Sequence, residues 1–478
     1  MFSIFSLKAL IVACLLVWAS DGAAINVLTD FGARDDNATD NSVALQAAFN
    51  VAPAGSTLFF PFNSVGVYRL SAALLVTRDR ITVKCSPGTT LYWTALGTGV
   101  FQGYPSKVGI QVTGHQFRLE DCTLRGPHVG VYIDDAYLVT VEGISTVNRL
   151  QGLTVLHSEF FDAGSGGLIT SFVDRVFIEH SNFHHLGYFG AMFNSSNGGK
   201  VVSSRFASIG PGKSGNQYGL SLTHRSAGYS SDPAAGTKQA ANPFCSNWVV
   251  ADNEAEDIDW VGFDTHGCYE CSFTRNHVYA TRQGISVSGS SGSAAGYGGA
   301  DNSITDNFIT SARKDGSSSG RENTWFGINA NGGLIVPSKR IKITGNIIHG
   351  KGIKDNINAG SIQCVFCDDV DISHNSIYAW AGIGIQISVP APTTNIRVAF
   401  NMFGPLVDAS DTVAWAVGCR SCGYMTTGSV TVVYNALKAL GGVAARIGFY
   451  SLNFSGDHII TGNDFDEATV APIQILNN

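Results

Sequence analysis

A carboxylate and an imidazole stand two residues apart in the segment WVGFDTHG. If this segment is a strand, Asp264 and His266 point to one face, about 7 Å apart along the chain, while Phe263 and Thr265 point to the other. A carboxylate beside an imidazole can hold a proton near neutral pH, as a general acid or base requires. Asp264 and His266 are therefore the leading candidates for catalysis, and the alternative is that they are ordinary surface residues.

Two further ionisable residues should lie near this pair. Asp259 stands on the corner that leads into the same strand, and Arg282 occupies the corner of the following repeat. A glycoside hydrolase uses two carboxylates roughly 5 to 9.5 Å apart, and Asp259 and Asp264 are the available pair. Arg282 could instead neutralise the carboxylate of an acidic substrate. These four residues are the catalytic candidates.

Polar and aromatic residues on neighbouring repeats are candidates for substrate binding. Amides and imidazoles offer hydrogen bonds, and sugar rings stack on indole rings, although each tryptophan could equally pack inside. The candidates are Asn194, His224, Asn329, Asn331, Trp260 and Trp325.

The elements that carry these residues belong to a repeat. Short alternating segments such as WVVADNE and CSFTRNH end at asparagine, and Asn253 and Asn276 are 23 residues apart. Recurrence at this period predicts a solenoid. Asparagine tolerates the left-handed backbone of a sharp corner, and stacked amides hydrogen-bond from coil to coil, so we predict an internal ladder. Its predicted members are Asn182, Asn253, Asn276, Asn307, Asn346, Asn375, Asn401, Asn435 and Asn463.

A second strand follows each corner and usually opens with glycine, as at Gly219 and Gly262. Period-two alternation places the first and third residues after the glycine in the core and the second and fourth on the outer face. Stacked coils then align the outer residues into a flat polar surface, which suits a chain-like ligand. Insertions at 225–244, 289–300 and 313–323 flank the strand of Asp264 and should form the walls of a groove.

The N-terminal segment VLTDFGARDDNATDNSVALQAAF resembles the opening of the pectin-lyase-like superfamily. Its FGA-x-x-D-x-x-T-D pattern is followed by apolar residues at helical spacing, among them Val43, Ala48 and Phe49, which would close the first coil. The resemblance implies an all-β, single-stranded, right-handed parallel β-helix with an N-terminal capping helix, formed by residues 25–478 as one domain. The superfamily includes lyases, hydrolases, epimerases and phage tailspikes, so the fold alone does not define the reaction.

The segment GFDTH also resembles the YG-x-D-P-H motif of mannuronan C5-epimerases, in which the tyrosine, aspartate and histidine act on a uronate ring. Asp264 and His266 match the aspartate and the histidine. Val261, Thr265 and Thr281 stand where that family has its tyrosine, its proline and a second aspartate. The resemblance implies a uronate-containing polysaccharide and chemistry by proton abstraction, with His266 as the base and Asp264 orienting it.

Composition limits the partners and the compartment. A net charge of -7 gives no basic field for nucleic acid. Residues 1–24 have the pattern of a secretory signal peptide, and no later apolar run reaches the roughly 18 residues of a membrane span. We therefore expect a secreted, extracellular monomer that binds polysaccharide rather than nucleic acid or membrane. No cofactor is required by the sequence; Ca²⁺ stays open, although no acidic loop has convincing ligand spacing.

Export would place the cysteines in an oxidising compartment, where disulfides form. We predict that three C-x-x-C pairs form structural disulfides: Cys268 with Cys271, Cys364 with Cys367, and Cys419 with Cys422. Three sequons, at Asn37, Asn194 and Asn453, are potential glycosylation sites.

Three functions stay open at the level of sequence. A lyase or an epimerase would abstract a proton from a uronate, whereas a glycoside hydrolase would use paired aspartates. A non-catalytic protein would only bind polysaccharide. A binder would show saturable affinity without producing new reducing ends or unsaturated sugars.

Overall fold

The computed structural model describes residues 24–128, 132–210, 217–224, 243–289, 298–310, 326–332, 336–350, 360–388, 393–406, 411–420, 427–439, 442, 444–452 and 457–476. Within them the chain winds into stacked coils whose strands pair in parallel with the coils before and after. An antiparallel hairpin, formed by Gly97–Phe101 and Tyr104–Val112, interrupts this pattern near the start. The described residues thus form the predicted right-handed parallel β-helix.

The strands stack into three sheets, here called I, II and III. Among the described residues, sheet I has 15 strands: Ala24–Asn26, Thr57–Phe60, Thr82–Cys85, Phe117–Glu120, Leu150–Leu156, Val173–Glu179, Asn197–Val202, Ser246–Ala251, Tyr269–Thr274, Ser303–Thr305, Ser338–Thr344, Cys367–Ser373, Thr393–Ala399, Thr427–Val433 and Asp457–Thr461. Sheet II contains Asp36–Asp40, Val67–Leu70, Thr90–Trp93, Thr123–Arg125, Glu159–Phe161, Asn182–Leu186, Arg205–Ile209, Phe308–Thr310, Ile347–His349, Ser376–Tyr378, Met402–Phe403 and Ala436–Leu437. Sheet III contains Leu74–Val76, Gly97–Phe101, Tyr104–Val112, Ala136–Glu142, Gly166–Ser171, Phe189–Asn194, Tyr218–Thr223, Phe326–Asn331, Gly360–Val365, Ile383–Ser388, Trp415–Arg420, Ile447–Leu452 and Ala471–Leu476.

Two long strands, Glu254–His266 and His277–Ser288, run through the corner between sheets II and III. Each pairs with sheet II through its first half and with sheet III through its second half. Their mutual register shifts between Ile258 and Val261, at the corner itself. The strand of Asp264 and His266 is therefore held by neighbours on two sheets.

The core fills the interior of the coils with apolar side chains that stack from one coil to the next. In sheet III, Phe263 pairs with Ile285, which pairs with Ile328, and all three are fully buried. In sheet II the rings of Phe160, Phe183 and Phe206 stack at centroid distances of 4.6 and 5.1 Å. Because burying one such side chain stabilises the fold by roughly 1.5 to 3 kcal/mol, these columns hold the coils in register.

Glycine at the start of the sheet III strands permits a close approach between coils. A Cβ atom on Gly219 would lie 2.4 Å from the carbonyl oxygen of Gly262, and one on Gly284 would lie 2.4 Å from that of Gly327. Any side chain at these positions would push neighbouring coils apart. The recurring glycine thus reflects packing at the corner, directly before the residues of the candidate site.

Two helices lie at the N-terminal end, α1 (Val27–Phe31) and α2 (Ser42–Val51). Helix α2 buries Leu45, Ala48 and Phe49 in the same core as the first coils. The prediction that Val43 also faces the coil is wrong, because Val43 is 84% exposed. The buried stripe of α2 is therefore narrower than the apolar pattern of the sequence.

The asparagine ladder is present from Asn253 onwards. Nδ2 of Asn253 donates to Oδ1 of Asn276 at 3.1 Å. The same side-chain bond, at 2.9 to 3.0 Å, continues through Asn276, Asn307, Asn346, Asn375, Asn401, Asn435 and Asn463. Each Nδ2 also donates to a backbone carbonyl of the preceding coil, as Asn276 does to Val250 at 2.9 Å. The predicted coil-to-coil function of these amides is confirmed.

Two details of the predicted ladder are wrong. Asn182 does not belong to it, because Ser181 occupies the ladder position of that coil and its amide donates to Oγ of Ser204 at 3.1 Å. The left-handed corner residue is also not the asparagine but the residue before it, as at Asp252 and Arg275 with φ of 58° and 51°. A serine hydroxyl can accept the same backbone bond, and the sequence pattern alone did not reveal this substitution.

The prediction that the C-x-x-C pairs form disulfides is mostly wrong. Cys268, Cys271, Cys364 and Cys367 are buried and belong to no disulfide. Cys419 is disulfide-bonded, whereas Cys422 lies outside the described residues. A disulfide joins Cys85 and Cys122 across adjacent coils, with Cα atoms 5.0 Å apart. Within the described residues, no helix is long and apolar enough to cross a membrane.

Candidate functional site

The alternation predicted for the strand of Asp264 and His266 is confirmed. Phe263 and Thr265 are fully buried on the inner side, and Asp264 lies between Ser221 and Ser286 of the adjacent coils on the outer side. His266 lies beside Ser288 on the same face. The strand therefore delivers a carboxylate and an imidazole to the outer face of sheet III.

Asp264 and His266 are in direct contact. Nε2 of His266 lies 2.7 Å from Oδ2 of Asp264, and the hydroxyl of Ser221 donates to the same oxygen at 3.3 Å. The side chain of Asp264 is 2% exposed and that of His266 is 29% exposed. The carboxylate is thus enclosed, and the imidazole is the member of the pair that solvent can reach.

The pKa of His266 reflects two opposing effects. Burial lowers it, but the negative charge of Asp264 and the hydrogen bond to that carboxylate more than offset burial, so the pKa lies above the ordinary value of 6.5. Because Nε2 faces Asp264, Nδ1 is the ring nitrogen available to exchange a proton with a ligand. The pair has the geometry of an oriented general base whose protonated form is stabilised.

The expectation of a flat, exposed polar surface is wrong near this pair. The outward row formed by Ser221, Asp264, Ser286 and Asn329 is almost fully buried. Polar side chains are costly to bury without partners, and the two serines and the aspartate have hydrogen bonds. The row is therefore shielded from solvent and does not form an open platform. The predicted wall insertions lie largely outside the described residues.

Arg282 and Trp260 meet at the corner between sheets II and III. The guanidinium carbon of Arg282 lies 4.2 Å from the centroid of the Trp260 ring, and both side chains are half-buried. An aromatic face stabilises a cation without neutralising it. This contact holds the guanidinium of Arg282 close to the strand of Asp264. Asp259 lies at the same corner and is half-buried.

His224 is enclosed close to His266. Its ring packs against Phe244 at a centroid distance of 4.7 Å, and it is 6% exposed. Burial, followed by the charge of His266, lowers the pKa of His224 to about 4. His224 is therefore neutral near neutral pH.

The predicted binding asparagines lie on the outer face of sheet III. Nδ2 of Asn194 donates to the carbonyl oxygen of Thr170 at 2.9 Å. Asn329 and Asn331 lie in the rows of Asp264 and His266 respectively, two coils further along the helix. Trp325 lies outside the described residues. The binding roles of these residues stay predictions.

The sequence reasoning missed a line of aromatic rings that leads to His266. The ring of Tyr218 meets His266 edge-on at 5.8 Å, and Tyr188 meets Tyr218 at 5.9 Å and Tyr132 at 6.2 Å. Burial and then the charges of Asp264 and Asp134 raise the pKa of Tyr188. The sequence does contain a signal that could have identified Tyr218. Tyr218 directly precedes the strand-opening Gly219, just as Val261 precedes Gly262 on the strand of Asp264, so the two residues occupy equivalent positions in their coils.

Metal binding finds no support in the side-chain geometry that can be described. Over the described ranges, no group of three or more histidine, cysteine, aspartate or glutamate side chains could hold a metal ion.

Comparison with known proteins is consistent with this fold. Residues 108–323 match the family described as right handed beta helix region, and no curated protein matches the sequence. The surface protein and adhesin PfbA of Streptococcus pneumoniae is 14% identical over 95% of this chain and 100% of its own, with a TM-score of 0.51. The A-module of a mannuronan C-5 epimerase from Azotobacter vinelandii is 15% identical over 95% and 98%, with a TM-score of 0.41.

Together with the coil architecture, the family match over residues 108–323 and the likeness to PfbA show the fold: the chain is a right-handed parallel β-helix. At such low identity the likeness shows the fold alone, so the reaction must be argued from the side chains of sheet III.

Proposed function

We propose that this protein is secreted and acts on an extracellular polysaccharide at the outer face of sheet III, with His266 as the acid–base residue. The observation that carries the proposal is the 2.7 Å contact between the enclosed carboxylate of Asp264 and the partly exposed imidazole of His266. A buried carboxylate that fixes an imidazole and stabilises its protonated form is a recurring arrangement for proton transfer.

The substrate we propose is a uronate-containing polysaccharide. Nδ1 of neutral His266 would take the proton at C5 of the uronate, and Asp264 would stabilise the imidazolium that forms. Arg282, held over Trp260 at 4.2 Å, would offset the negative charge that develops on the uronate carboxylate. In a lyase the C4–O4 bond then breaks to leave a C4=C5 double bond, and the departing O4 takes a proton from water. In an epimerase water donates a proton to C5 from the opposite face. In both cases His266 afterwards releases its proton to solvent.

Glycoside hydrolysis by Asp259 and Asp264 is less well supported. Asp264 already accepts hydrogen bonds from His266 and Ser221, and it is nearly inaccessible. A hydrolytic carboxylate must reach the glycosidic oxygen, the anomeric carbon or an attacking water. Asp264 is better placed to orient His266 than to contact a sugar.

The test is to incubate the secreted protein with separate acidic and neutral polysaccharides and to follow three signals. Ultraviolet absorbance detects unsaturated uronates, a reducing-end assay detects chain cleavage, and proton NMR detects inversion at C5. A lyase raises the first two signals together, and an epimerase changes only the third. New reducing ends without unsaturated products would contradict the proposal and show that the protein is a hydrolase. Saturable binding without any of the three signals would contradict it and show that the protein only binds polysaccharide.

A further inference from the structure

The amide oxygens of Asn329 and Asn331 lie on the outer face of sheet III and have no hydrogen-bond partner in the part of the chain that the structure describes. Both residues lie on Phe326–Asn331, where Ile328 and Ala330 point into the core. Asn329 is only 7% exposed, and its Nδ2 donates to Oε1 of Gln283 at 3.4 Å. A buried acceptor without a donor is unfavourable, so this strand is suited to a ligand that brings donors.

The neighbouring polar side chains do not compete for that ligand, because they form hydrogen bonds with one another. The hydroxyls of Ser286 and Ser288 lie 2.5 Å apart, and Nε2 of Gln363 donates to Oε1 of Gln386 at 2.9 Å. From Gln283 onwards, the strands of sheet III described up to Ser388 place no charged side chain on the outer face. This stretch therefore offers neutral acceptors and no described cation.

The distance between this stretch and the catalytic pair is fixed by the strand register. Asp264 pairs with Ser286, which pairs with Asn329, and His266 pairs with Ser288, which pairs with Asn331. Two strand spacings amount to about 10 Å, which is about the length of a disaccharide unit. A polysaccharide that follows the helix axis would therefore place one sugar at His266 and another at the two asparagines.

We propose that the substrate is mixed in charge: its reacting uronate lies at Asp264 and His266, and a neutral sugar lies two coils further on, donating hydroxyls to the amide oxygens of Asn329 and Asn331. This inference rests on the proposed function of the catalytic pair. A uronate at the second position would bring a carboxylate against two carbonyl-type oxygens, and the described strands from Gln283 to Ser388 place no charged side chain on this face to offset it. A neutral hexose brings only hydroxyls, which can donate to both.

Substrate charge can be varied while chain length and linkage are kept constant. Oligogalacturonates and oligomannuronates are prepared in three forms: fully charged, partly carboxyl-reduced and fully carboxyl-reduced, where reduction converts each carboxylate to a neutral hydroxymethyl group. We expect the partly reduced form to have a kcat/KM at least about tenfold above that of the fully charged form. Equal or faster turnover of the fully charged form would overturn the inference and leave the proposed function standing.

Binding measured by calorimetry separates the two proposals. If the partly reduced form binds but no form is turned over, the proposed catalytic function fails while the neutral subsite stands. Asn331→Leu removes one acceptor and should weaken binding of the partly reduced form about tenfold, with circular dichroism verifying the fold. Asn395→Leu, at an exposed position on sheet I, is the matched control. If Asn331→Leu weakens binding no more than Asn395→Leu, the assignment of this subsite is wrong.

Discussion

The carboxylate of Asp264 would be costly to bury alone, because an isolated charge loses its hydration in a protein interior. His266 at 2.7 Å and Ser221 at 3.3 Å offset that cost. The same contacts fix the orientation of the imidazole, which stays partly exposed. At the scale of single residues, the proposed activity therefore depends on whether His266 carries its second proton.

The pH profile of kcat/KM tests this dependence. A base must be neutral, so activity should rise as pH rises through the pKa of His266, with a midpoint above 6.5. Asp264→Asn removes the charge that raises this pKa and leaves burial, which lowers it, so the midpoint should move downwards while the maximal rate falls. A wild-type midpoint below 6.5, or an unchanged midpoint in Asp264→Asn, would contradict this account.

The stability of the fold should depend on His224 in acid. The folded-state pKa of about 4 lies below the ordinary value of 6.5, so between these values the unfolded chain binds a proton that the folded chain does not. Stability is then lost as pH falls from 6.5 towards 4, by about 3 kcal/mol from this residue. His224→Phe should reduce that loss, measured by denaturant unfolding at pH 6.5 and 4.5. Parallel losses in wild type and variant would show that His224 is not the cause.

Residue-scale features were predictable where they follow from alternation alone. The outward direction of Asp264 and His266 needs only the period of a strand, and the structure bears it out. The burial of Asp264 and the ring contact of Tyr218 with His266 depend on how coils stack. That stacking joins residues tens of positions apart, and a local pattern does not contain it.

At the scale of elements, the corners are held by the amide ladder rather than by the strands alone. Asn346 accepts from Asn307 at 2.9 Å and donates to Asn375 at 2.9 Å, and its Nδ2 also donates to the carbonyl oxygen of Ile304. It is fully buried. Replacement of one ladder asparagine would therefore leave several buried donors and acceptors without hydrogen bonds.

Asn346→Ala should lower the free energy of unfolding by about 3 kcal/mol or more, because each unpaired buried group costs about 1 to 3 kcal/mol. Asn182→Ala is the matched control, since Asn182 is only partly buried and lies outside the ladder. Its expected cost is below about 1 kcal/mol. Denaturant unfolding compares the two variants. Equal losses of unfolding free energy would show that the asparagine ladder does not stabilise the corners.

The register of the ladder was only partly readable from the sequence. Asparagine marks the rungs from Asn253 onwards, but Ser181 and Ser204 take the same position in earlier coils. Either side chain provides an oxygen that accepts the backbone bond of the preceding rung. An alignment on asparagine alone therefore placed Asn182 one residue out of register.

At the scale of the whole molecule, the recurrence of short strands predicted a solenoid, and the resemblance of the N-terminal segment implied the parallel β-helix that the structure shows. The cysteines were not predictable from spacing, because a disulfide needs two Cα atoms at bonding distance. Cys85 and Cys122 meet that condition across adjacent coils, although 37 residues separate them. In a solenoid, sequence neighbours diverge around a corner while residues one coil apart come together.

The most direct measurement of the central claim compares three proteins on whichever polysaccharide is first turned over: wild type, His266→Gln, and His349→Gln as a control at an exposed position on sheet II. Loss of a general base should lower kcat of His266→Gln by about 10²- to 10⁴-fold, with polysaccharide affinity and circular dichroism little changed. His349→Gln should match wild type. Undiminished turnover by His266→Gln would contradict the account and show that Asp264 and His266 are not catalytic.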